Sequence, residues 1–289
     1  MAAAVILGGG GLIALGVSDD DDGVLPAALT GGNAKPAGPS AEELAKRERA
    51  KRAKALDAAL KQVAAETPDF SVAVLDKKTG QTYAYQGATT FDTASIVKAQ
   101  ILACELLKAQ DADREPTAAE MALATPMIRA SDNDATTALF QRLGGRSAIT
   151  KCNKRLGLTQ TTVNKAWGLT KTTAADQVKL LAKFADTKGP LDADSRKTAF
   201  SLMNTVNDDQ NWGVPVVAKP GESATVKNGW DTRSADGGLW AVNTIGRVTS
   251  PDGKVNVSLA VLSHNNQSMD TGIALVEKVA QLTRQHLKY

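Results

Sequence analysis

Histidine and cysteine are scarce in this chain of 289 residues, which contains two of each: His264, His286, Cys104 and Cys152. Zinc sites usually draw on His and Cys at short spacing, and none of these four lies within a few residues of another. A structural zinc site is therefore effectively excluded, and we expect no metal and no cofactor. A Ser-His-Asp triad has only two candidate histidines, both near the C-terminus, so a hydrolase of this sequence is expected to activate its nucleophile in another way.

Neither sign of charge dominates the composition. The 34 Lys and Arg residues and the 31 Asp and Glu residues give a formal net charge of +3, which is too small to indicate a nucleic-acid partner. Basic side chains are concentrated between Lys46 and Lys61. However, Glu42, Glu43 and Glu48 each lie four residues before a basic residue, which is the spacing of an ion pair on a helix. The strip indicates a solvated helix face, with an anionic membrane surface as the alternative.

The apolar run at residues 2–17 is shorter than a membrane-spanning helix needs, at about 1.5 Å per residue against a hydrocarbon core of about 30 Å. It favours a signal-peptide core or a membrane-proximal segment, and the alternative is a disordered tail. The first basic residue is Lys35, so the positive leader of a signal is missing, and a start upstream of Met1 would supply it. We expect a secreted or extracytoplasmic protein, with the membrane anchor, if there is one, in this segment.

The rest of the chain has the composition of a soluble globular protein, with 43% apolar and 22% charged residues. Residues 18–40 are rich in Gly, Pro, Ala and Asp without periodicity and indicate a flexible linker, so one folded domain is expected over residues 41–289. A helix begins this domain. Its residues Leu56, Leu60 and Val63 are spaced i, i+4, i+7 and are predicted to pack on the domain.

The remaining elements predict an α+β fold. The predicted strands are Ser71–Leu75, Gln81–Tyr85, Ala224–Asp231, Leu239–Val248 and Lys254–Ser263. A helical stretch extends from Ser95 to about Met203, and a helix over Thr271–His286 closes the chain. Because strands at both ends of the chain flank the helices, we predict a five-stranded antiparallel sheet with flanking terminal helices and an inserted all-α subdomain at about residues 95–205.

The segment Ser95-Ile-Val-Lys98 contains a possible nucleophile and base. Positions i and i+3 share a helix face, so the Lys98 ammonium can reach the Ser95 hydroxyl beside the positive end of the helix dipole. Lys98 can act as a base only if burial or another cation lowers its pKa from about 10.4. Taken alone, the pair also fits a helix cap followed by a surface lysine.

Two further motifs are ambiguous when each is taken alone. Ser-Asp-Asn at residues 131–133 precedes a helical run and is an ordinary N-cap cluster. Lys-Asn-Gly at residues 227–229 lies in a predicted strand, where a glycine marks either a bulge or the close approach of another backbone or a ligand. A literal Lys-Thr-Gly at residues 78–80 precedes Ser95 and lies in a predicted turn between two strands.

In order along the chain, S-x-x-K, S-D-N and K-x-G resemble the motifs of the penicillin-recognising serine hydrolases, above all the class A β-lactamases. Three segments are similar to that family's opening strand, active-site entry and exit from the helical domain: residues 71–76, 91–98 and 210–213. The resemblance covers roughly residues 55–289. Because the family places the K-x-G motif last, residues 227–229 are its counterpart and residues 78–80 are not.

The resemblance implies a role for each motif residue. Ser95 would be the acyl-accepting nucleophile and Lys98 its base or proton relay. Ser131 would pass a proton to the leaving nitrogen, and Lys227 would lower the pKa of Lys98 and attract a substrate carboxylate. The implied substrate-binding residues are Asn133, Asn228, Gly229, Trp230 and Arg233, with the backbone N–H groups of Ser95 and Trp230 as the oxyanion hole. For Arg233 a surface position is an equal alternative.

Two features depart from the family pattern. Asn228 replaces the usual hydroxyl residue of the third motif, and its amide has a different reach. Typical class A enzymes also place a glutamate in a loop after S-D-N to activate the deacylating water. Residues 159–173 contain no acidic residue; their larger polar side chains include Asn164 and Lys165, and the next carboxylate is Asp176. The sequence therefore predicts acylation without the usual means of deacylation.

The predicted function is a class A β-lactamase-like serine hydrolase that forms an acyl-enzyme at Ser95 with a β-lactam or a D-alanyl peptide or ester. The alternative is a slow or non-hydrolytic penicillin-binding protein of the cell wall. A third, non-enzymatic hypothesis makes residues 41–66 an interaction helix attached to a degenerate domain. The expected partner is a β-lactam or peptidoglycan-like small substrate, with no nucleic acid, and the protein is expected to be a monomer.

Two smaller predictions concern cysteine and tryptophan. Cys104 and Cys152 fit either a disulfide of an exported domain or buried free thiols. Trp167, Trp212 and Trp240 are expected to be packing residues, whereas the position of Trp230 at the cleft follows from the third motif.

Overall fold

Strands from both ends of the chain form the central sheet. The structure, a computed structural model, describes residues 39–289. Its strands are β1 (Phe70–Asp76), β2 (Gln81–Tyr85), β3 (Thr90–Asp92), β4 (Lys171–Thr173), β5 (Ser223–Arg233), β6 (Leu239–Thr249) and β7 (Asn256–Asn266). Five of them form one sheet in the order β2-β1-β7-β6-β5, and all of its pairings are antiparallel. The predicted α+β fold, with a five-stranded antiparallel sheet from distant segments, is confirmed.

Helices cover both faces of this sheet. They are α1 (Ala41–Ala64), α2 (Val97–Gln110), α3 (Ala118–Arg129), α4 (Asn133–Leu143), α5 (Gly145–Leu156), α6 (Ala174–Ala185), α7 (Ala193–Met203) and α8 (Met269–Leu287). Helices α2 to α7 lie between β3 and β5, as the predicted helical insertion requires. That stretch is not wholly helical, however, because β4 pairs with β3 and places Thr172 opposite Phe91, both buried. β-branched threonines favour such a short strand over a helix.

Alternate residues of the strands face two separate apolar cores, because successive side chains of a strand point to opposite faces. Val72 of β1 belongs to the core beneath α1 and α8, whereas Ala73 faces the core shared with the helical insertion. Leu56, Leu60 and Val63 are the buried residues of α1, as their spacing predicts. The sheet is thus anchored on one face by the terminal helices, and its other face supports the insertion.

The exposed half of α1 agrees with the solvated-face interpretation of the basic strip. Residues 41–48 are exposed, and Arg52 Nε lies 3.1 Å from Glu48 Oε1, one turn away. Residues 78–80 lie in the turn between β1 and β2, as predicted for the literal Lys-Thr-Gly.

Cys104 of α2 and Cys152 of α5 form a disulfide, which is the first of the two alternatives for these cysteines. The bridge joins the helix that follows Ser95 to a neighbouring helix of the insertion. The assignments of residues 1–17 and 18–40 fall outside the described residues, apart from Pro39 and Ser40. In the part of the chain that the structure describes, no helix is both long and apolar enough to cross a bilayer.

Candidate active site

Ser95 lies in a 3-10 turn, Ala94–Ile96, immediately before α2. The regular helix therefore begins at Val97, two residues later than the sequence predicts. Residues 94–96 form this 3-10 turn instead, with the N–H of Ile96 donating to the carbonyl oxygen of Thr93 at 3.2 Å, and Ala94 within it has a left-handed φ of 45°. The contact expected from the S-x-x-K spacing is nevertheless present, because Lys98 Nζ lies 2.9 Å from Ser95 Oγ.

Lys98 is fully buried and is surrounded by neutral oxygens. Four oxygens lie within hydrogen-bond distance of its Nζ: Ser95 Oγ, Ser131 Oγ at 3.0 Å, Asn133 Oδ1 at 2.7 Å and the carbonyl oxygen of Ser131. Burial lowers the pKa of Lys98 to about 7, and the charge of Asp132 opposes this shift. A substantial fraction of Lys98 is therefore neutral near pH 7 and can accept a proton from Ser95.

The Ser-Asp-Asn motif combines a structural and a chemical position. Asp132 is the N-cap of α4, and its Oδ1 accepts the N–H of Ala135 at 2.7 Å. Its neighbours Ser131 and Asn133 direct their side-chain oxygens to Lys98 instead. Ser131 has a left-handed backbone with φ 56°, an unusual conformation for a serine and one that clusters at functional sites. The N-cap interpretation thus applies to Asp132 alone.

Lys227 of β5 approaches the same serine from the opposite side. Its side chain is 1% exposed, and its Nζ lies 3.0 Å from Ser131 Oγ and 2.8 Å from the carbonyl oxygen of Asn228. The Ser131 hydroxyl therefore connects the two lysines. Burial lowers the pKa of Lys227, and the neighbouring charge of Lys98 lowers it further.

Gly229 allows β5 to lie directly against the turn that contains Ser95. A Cβ atom at this position would lie 2.6 Å from the backbone nitrogen of Ile96 and 2.7 Å from that of Ser95. Any side chain would therefore displace the nucleophile. The strand glycine marks the close approach of another backbone, one of the two explanations that the sequence leaves open.

Asn228 and Arg233 are engaged with protein groups. The Nδ2 of Asn228 donates to the carbonyl oxygens of Gln210 at 2.8 Å and Trp212 at 2.9 Å, while its buried Oδ1 has no partner. Arg233 forms an ion pair with the buried carboxylate of Asp92. Binding of a substrate carboxylate by these two residues remains a prediction, and it would require at least one of these contacts to be released.

Trp167 forms one wall of the cleft beside Ser95. The cleft has a volume of about 410 Å³. Its lining residues are Ala94, Ser95, Asn133, Ala166, Trp167, Gly168, Leu169, Trp230 and Asp231. The centroid of the Trp167 ring lies 5.1 Å from Lys98 Nζ. The indole Nε1 of Trp167 donates to Thr137 Oγ1 at 3.2 Å. The residue does pack on the helical core as expected, but it also bounds the site, which no local pattern in the sequence indicates.

Acidic groups are sparse around the cleft. Asp231 is the one carboxylate among the lining residues, and the loop at residues 159–173 supplies none. Within residues 39–289, no three His, Cys, Asp or Glu side chains are grouped as a metal ion would require. Among the described residues, Lys98 is the basic side chain that contacts Ser95 Oγ.

Comparison with known families and proteins places this geometry in context. The model of a family described as "Beta-lactamase enzyme family" matches residues 117–287. A Mycobacterium tuberculosis protein described as "Putative lipoprotein LppW" is 29% identical over 180 residues, which are 58% of this chain and 56% of that protein. The chain thus matches little more than half the length of this relative.

Solved structures share the fold at low sequence identity. The structure of PBP-A has a TM-score of 0.70 at 20% identity and covers 81% of this chain and 96% of its own. The chromosome-encoded beta-lactamase of Vibrio parahaemolyticus has a TM-score of 0.69 at 17% identity and covers 81% of this chain and 99% of its own. A mutant PBP-A in an acyl-enzyme complex with penicillin G has a TM-score of 0.68 at 19% identity, with coverages of 84% and 97%. These similarities establish the fold.

Proposed function

This chain belongs to the beta-lactamase enzyme family, and from that premise we propose that it is a serine hydrolase that forms an acyl-enzyme at Ser95. The acyl donor is a β-lactam or a D-alanyl peptide or ester. The observation that supports the proposal most strongly is the continuous chain of contacts Ser95–Lys98–Ser131–Lys227, with each link between 2.9 and 3.0 Å. These contacts link a nucleophile to a base with a lowered pKa and provide a route for a proton.

In the proposed reaction, Ser95 Oγ attacks the carbonyl carbon of the substrate while its proton moves to neutral Lys98. The C–N or C–O bond then breaks. The proton returns through the Ser131 hydroxyl to the leaving nitrogen or oxygen, so that Lys98 is neutral again. Lys227 holds Ser131 in position and adds positive potential that attracts a substrate carboxylate. The backbone N–H groups of Ser95 and Trp230 stabilise the oxyanion. Gly229 makes this arrangement possible because it lets β5 lie directly against the turn that contains Ser95.

The substrate-binding roles of the remaining motif residues belong to the same proposal. Asn133 uses its Oδ1 for Lys98, which leaves its Nδ2 for an amide oxygen of the substrate. Trp230 and Asp231 line the cleft on the β5 side. Asn228 and Arg233 are the proposed contacts for the substrate carboxylate, once they exchange protein partners for substrate.

A second candidate function is binding of a β-lactam without turnover. Two observations favour it: residues 159–173 contain no carboxylate to activate a water, and the Trp167 ring stands beside Lys98 in the cleft. In this case the acyl-enzyme forms and persists, and the protein serves as a penicillin-binding or cell-wall sensing protein.

Labelling with a fluorescent penicillin, followed over time by intact-mass measurement, tests both candidates. We expect one covalent adduct on the wild-type chain and none on Ser95→Ala, which removes only the hydroxyl. Loss of the adduct within a second supports turnover, whereas an adduct that lasts for many minutes supports the second candidate. A chain that shows no Ser95-dependent adduct contradicts both.

We further propose that the protein acts outside the cytoplasm. The Cys104–Cys152 disulfide supports this location, because disulfides persist in oxidising compartments. The name of the mycobacterial relative points in the same direction. Fractionation of cells that produce the full chain tests the proposal, and recovery of the protein with free thiols in the cytosol would contradict it.

A further inference from the structure

Asn243 of β6 contacts the backbone that leads to Ser95. It is the cross-strand partner of Gly229, so the two residues share one face of the sheet. Asn243 is fully buried. Its Nδ2 donates to the carbonyl oxygens of Asp92 at 2.9 Å and Thr93 at 3.1 Å, and its Oδ1 accepts the N–H of Ser263 at 3.1 Å. Two of its three hydrogen bonds thus hold the peptide groups that precede the nucleophile turn.

Those peptide groups lead directly into a strained residue. Ala94 follows them directly, and its left-handed backbone is strained for a non-glycine residue and persists only where its surroundings enforce it. On the other side of the chain, the N–H of Thr93 donates to the carbonyl oxygen of Thr170 at 2.8 Å. Asn243 and Thr170 therefore hydrogen-bond from two sides to the backbone that immediately precedes Ser95.

We propose that Asn243 is a positioning residue for acylation, which acts through the backbone of residues 92–95 and does not touch the substrate. This inference rests on the proposed function of Ser95. Gly229 provides the space for the nucleophile turn, and Asn243 provides the hydrogen bonds that hold it there. Because displacement of a reacting group by about 1 Å can cost about a hundredfold in rate, loss of these bonds is expected to lower the maximal acylation rate by tenfold or more.

The test compares Asn243→Ala with Thr244→Val in the full chain. Thr244 is the next residue of β6, is equally buried, and its Oγ1 accepts the N–H of Val214 at 3.0 Å on the opposite face. The control thus removes a buried hydrogen bond from the same strand without touching residues 92–96. Asn243→Asp is the second variant. It keeps the side-chain shape and the acceptor for Ser263, but it loses the paired N–H donors.

Two measurements are made on folded protein. The first is the rate of fluorescent-penicillin labelling against penicillin concentration, which separates the maximal rate from the half-saturating concentration. The second is hydrogen–deuterium exchange of the peptide that contains residues 92–97, which does not depend on acylation. We expect both Asn243 variants to show a maximal rate lowered at least about tenfold, little change in half-saturation and faster exchange in this peptide. Thr244→Val is expected to stay near the wild type in all three.

Equal effects of the Asn243 variants and Thr244→Val would overturn the inference, as would unchanged exchange at residues 92–97 in both Asn243 variants. If the wild-type chain acquires no label, the proposed function of Ser95 fails. In that event the exchange measurement alone decides whether Asn243 holds this segment.

Discussion

The Nζ atom of Lys98 lies 5.1 Å from the centroid of the Trp167 ring, which lines the cleft beside Ser95. An aromatic face at this distance attracts a protonated lysine, whereas burial favours the neutral form. The ring also lines the same cleft as Ser95, so we expect it to affect the approach of a water to an acyl group there. This contact therefore bears on both steps of the proposed reaction, the transfer of a proton to Lys98 and the release of the product.

Replacement of Trp167 tests its effect on release. In Trp167→Glu a carboxylate would enter the cleft and could take a proton from a water, so we expect loss of the penicillin adduct to accelerate at least about tenfold. Trp167→Gln is the matched control, because a glutamine side chain has nearly the shape of glutamate but cannot act as a base. Intact-mass measurement over time gives both rates. Equal release rates in the two variants would show that a base at this position does not limit release.

The labelling rate is expected to rise as pH increases through about 7. Burial lowers the pKa of Lys98 to about 7, so Lys98 becomes neutral and able to accept the Ser95 proton above that pH. Lys98→Arg is expected to acquire no label at any pH, because a guanidinium stays protonated. A pH–rate profile of labelling between pH 5 and 9 would check this, and a rate that falls over that range would contradict the role of Lys98 as the base.

Removal of the Lys98 charge is expected to stabilise the fold. The pKa of Lys98 is lower in the folded chain than the value of about 10.4 in an unfolded one, so protonation of the folded state is unfavourable. The cost is complete below about pH 7 and disappears as pH rises toward 10. We therefore expect Lys98→Met to raise Tm by a few degrees at pH 6, about 2–4 °C per kcal/mol, and by less at pH 9. Lys188→Met, at an exposed lysine, is expected to change Tm little at either pH.

Gly229→Ala is expected to displace the nucleophile. The new Cβ would lie 2.7 Å from the backbone nitrogen of Ser95, so we expect labelling to fall by about a hundredfold and stability by about 1–3 kcal/mol. Gly246→Ala is the control, because its Cβ would lie 2.1 Å from the carbonyl oxygen of Thr225, away from the Ser95 turn. Chemical denaturation and labelling of the folded fraction separate the two effects. Similar labelling of both variants would contradict the steric explanation.

Loss of the disulfide is expected to lower stability more than activity. The bridge closes a loop with a sequence separation of 48 between Cys104 and Cys152, for which chain entropy predicts a stabilisation of about 4 kcal/mol. The paired Cys104→Ser, Cys152→Ser variant should therefore unfold at lower denaturant concentration. Its labelling rate at 25 °C should stay close to the wild-type rate, and a rate that falls together with stability would show that the bridge also shapes the site.

The three motifs can be read directly from the sequence. The strands and the buried face of α1 could be predicted because they depend on residues that are close together in the chain. The contact between Lys98 and Ser95 follows from a spacing of three, and the burial of Leu60 follows from the helical period. The exact helix start could not be predicted, because the 3-10 turn at residues 94–96 and the left-handed backbone of Ala94 depend on their tertiary surroundings. For the same reason, the N-cap propensity of the Ser-Asp-Asn motif could not distinguish Asp132, which caps a helix, from the two neighbours that contact Lys98.

By itself, the sequence determined the α+β fold, the chemical types of the motif residues and the absence of a carboxylate in residues 159–173. These are properties of composition, period and short spacing. Only the tertiary structure decided that Trp167 and Asn243 belong to the surroundings of Ser95. The Asn243 hydrogen bond to Asp92 joins residues 151 positions apart, and such a contact is set by how β6 packs against the nucleophile turn. No local pattern encodes that distance.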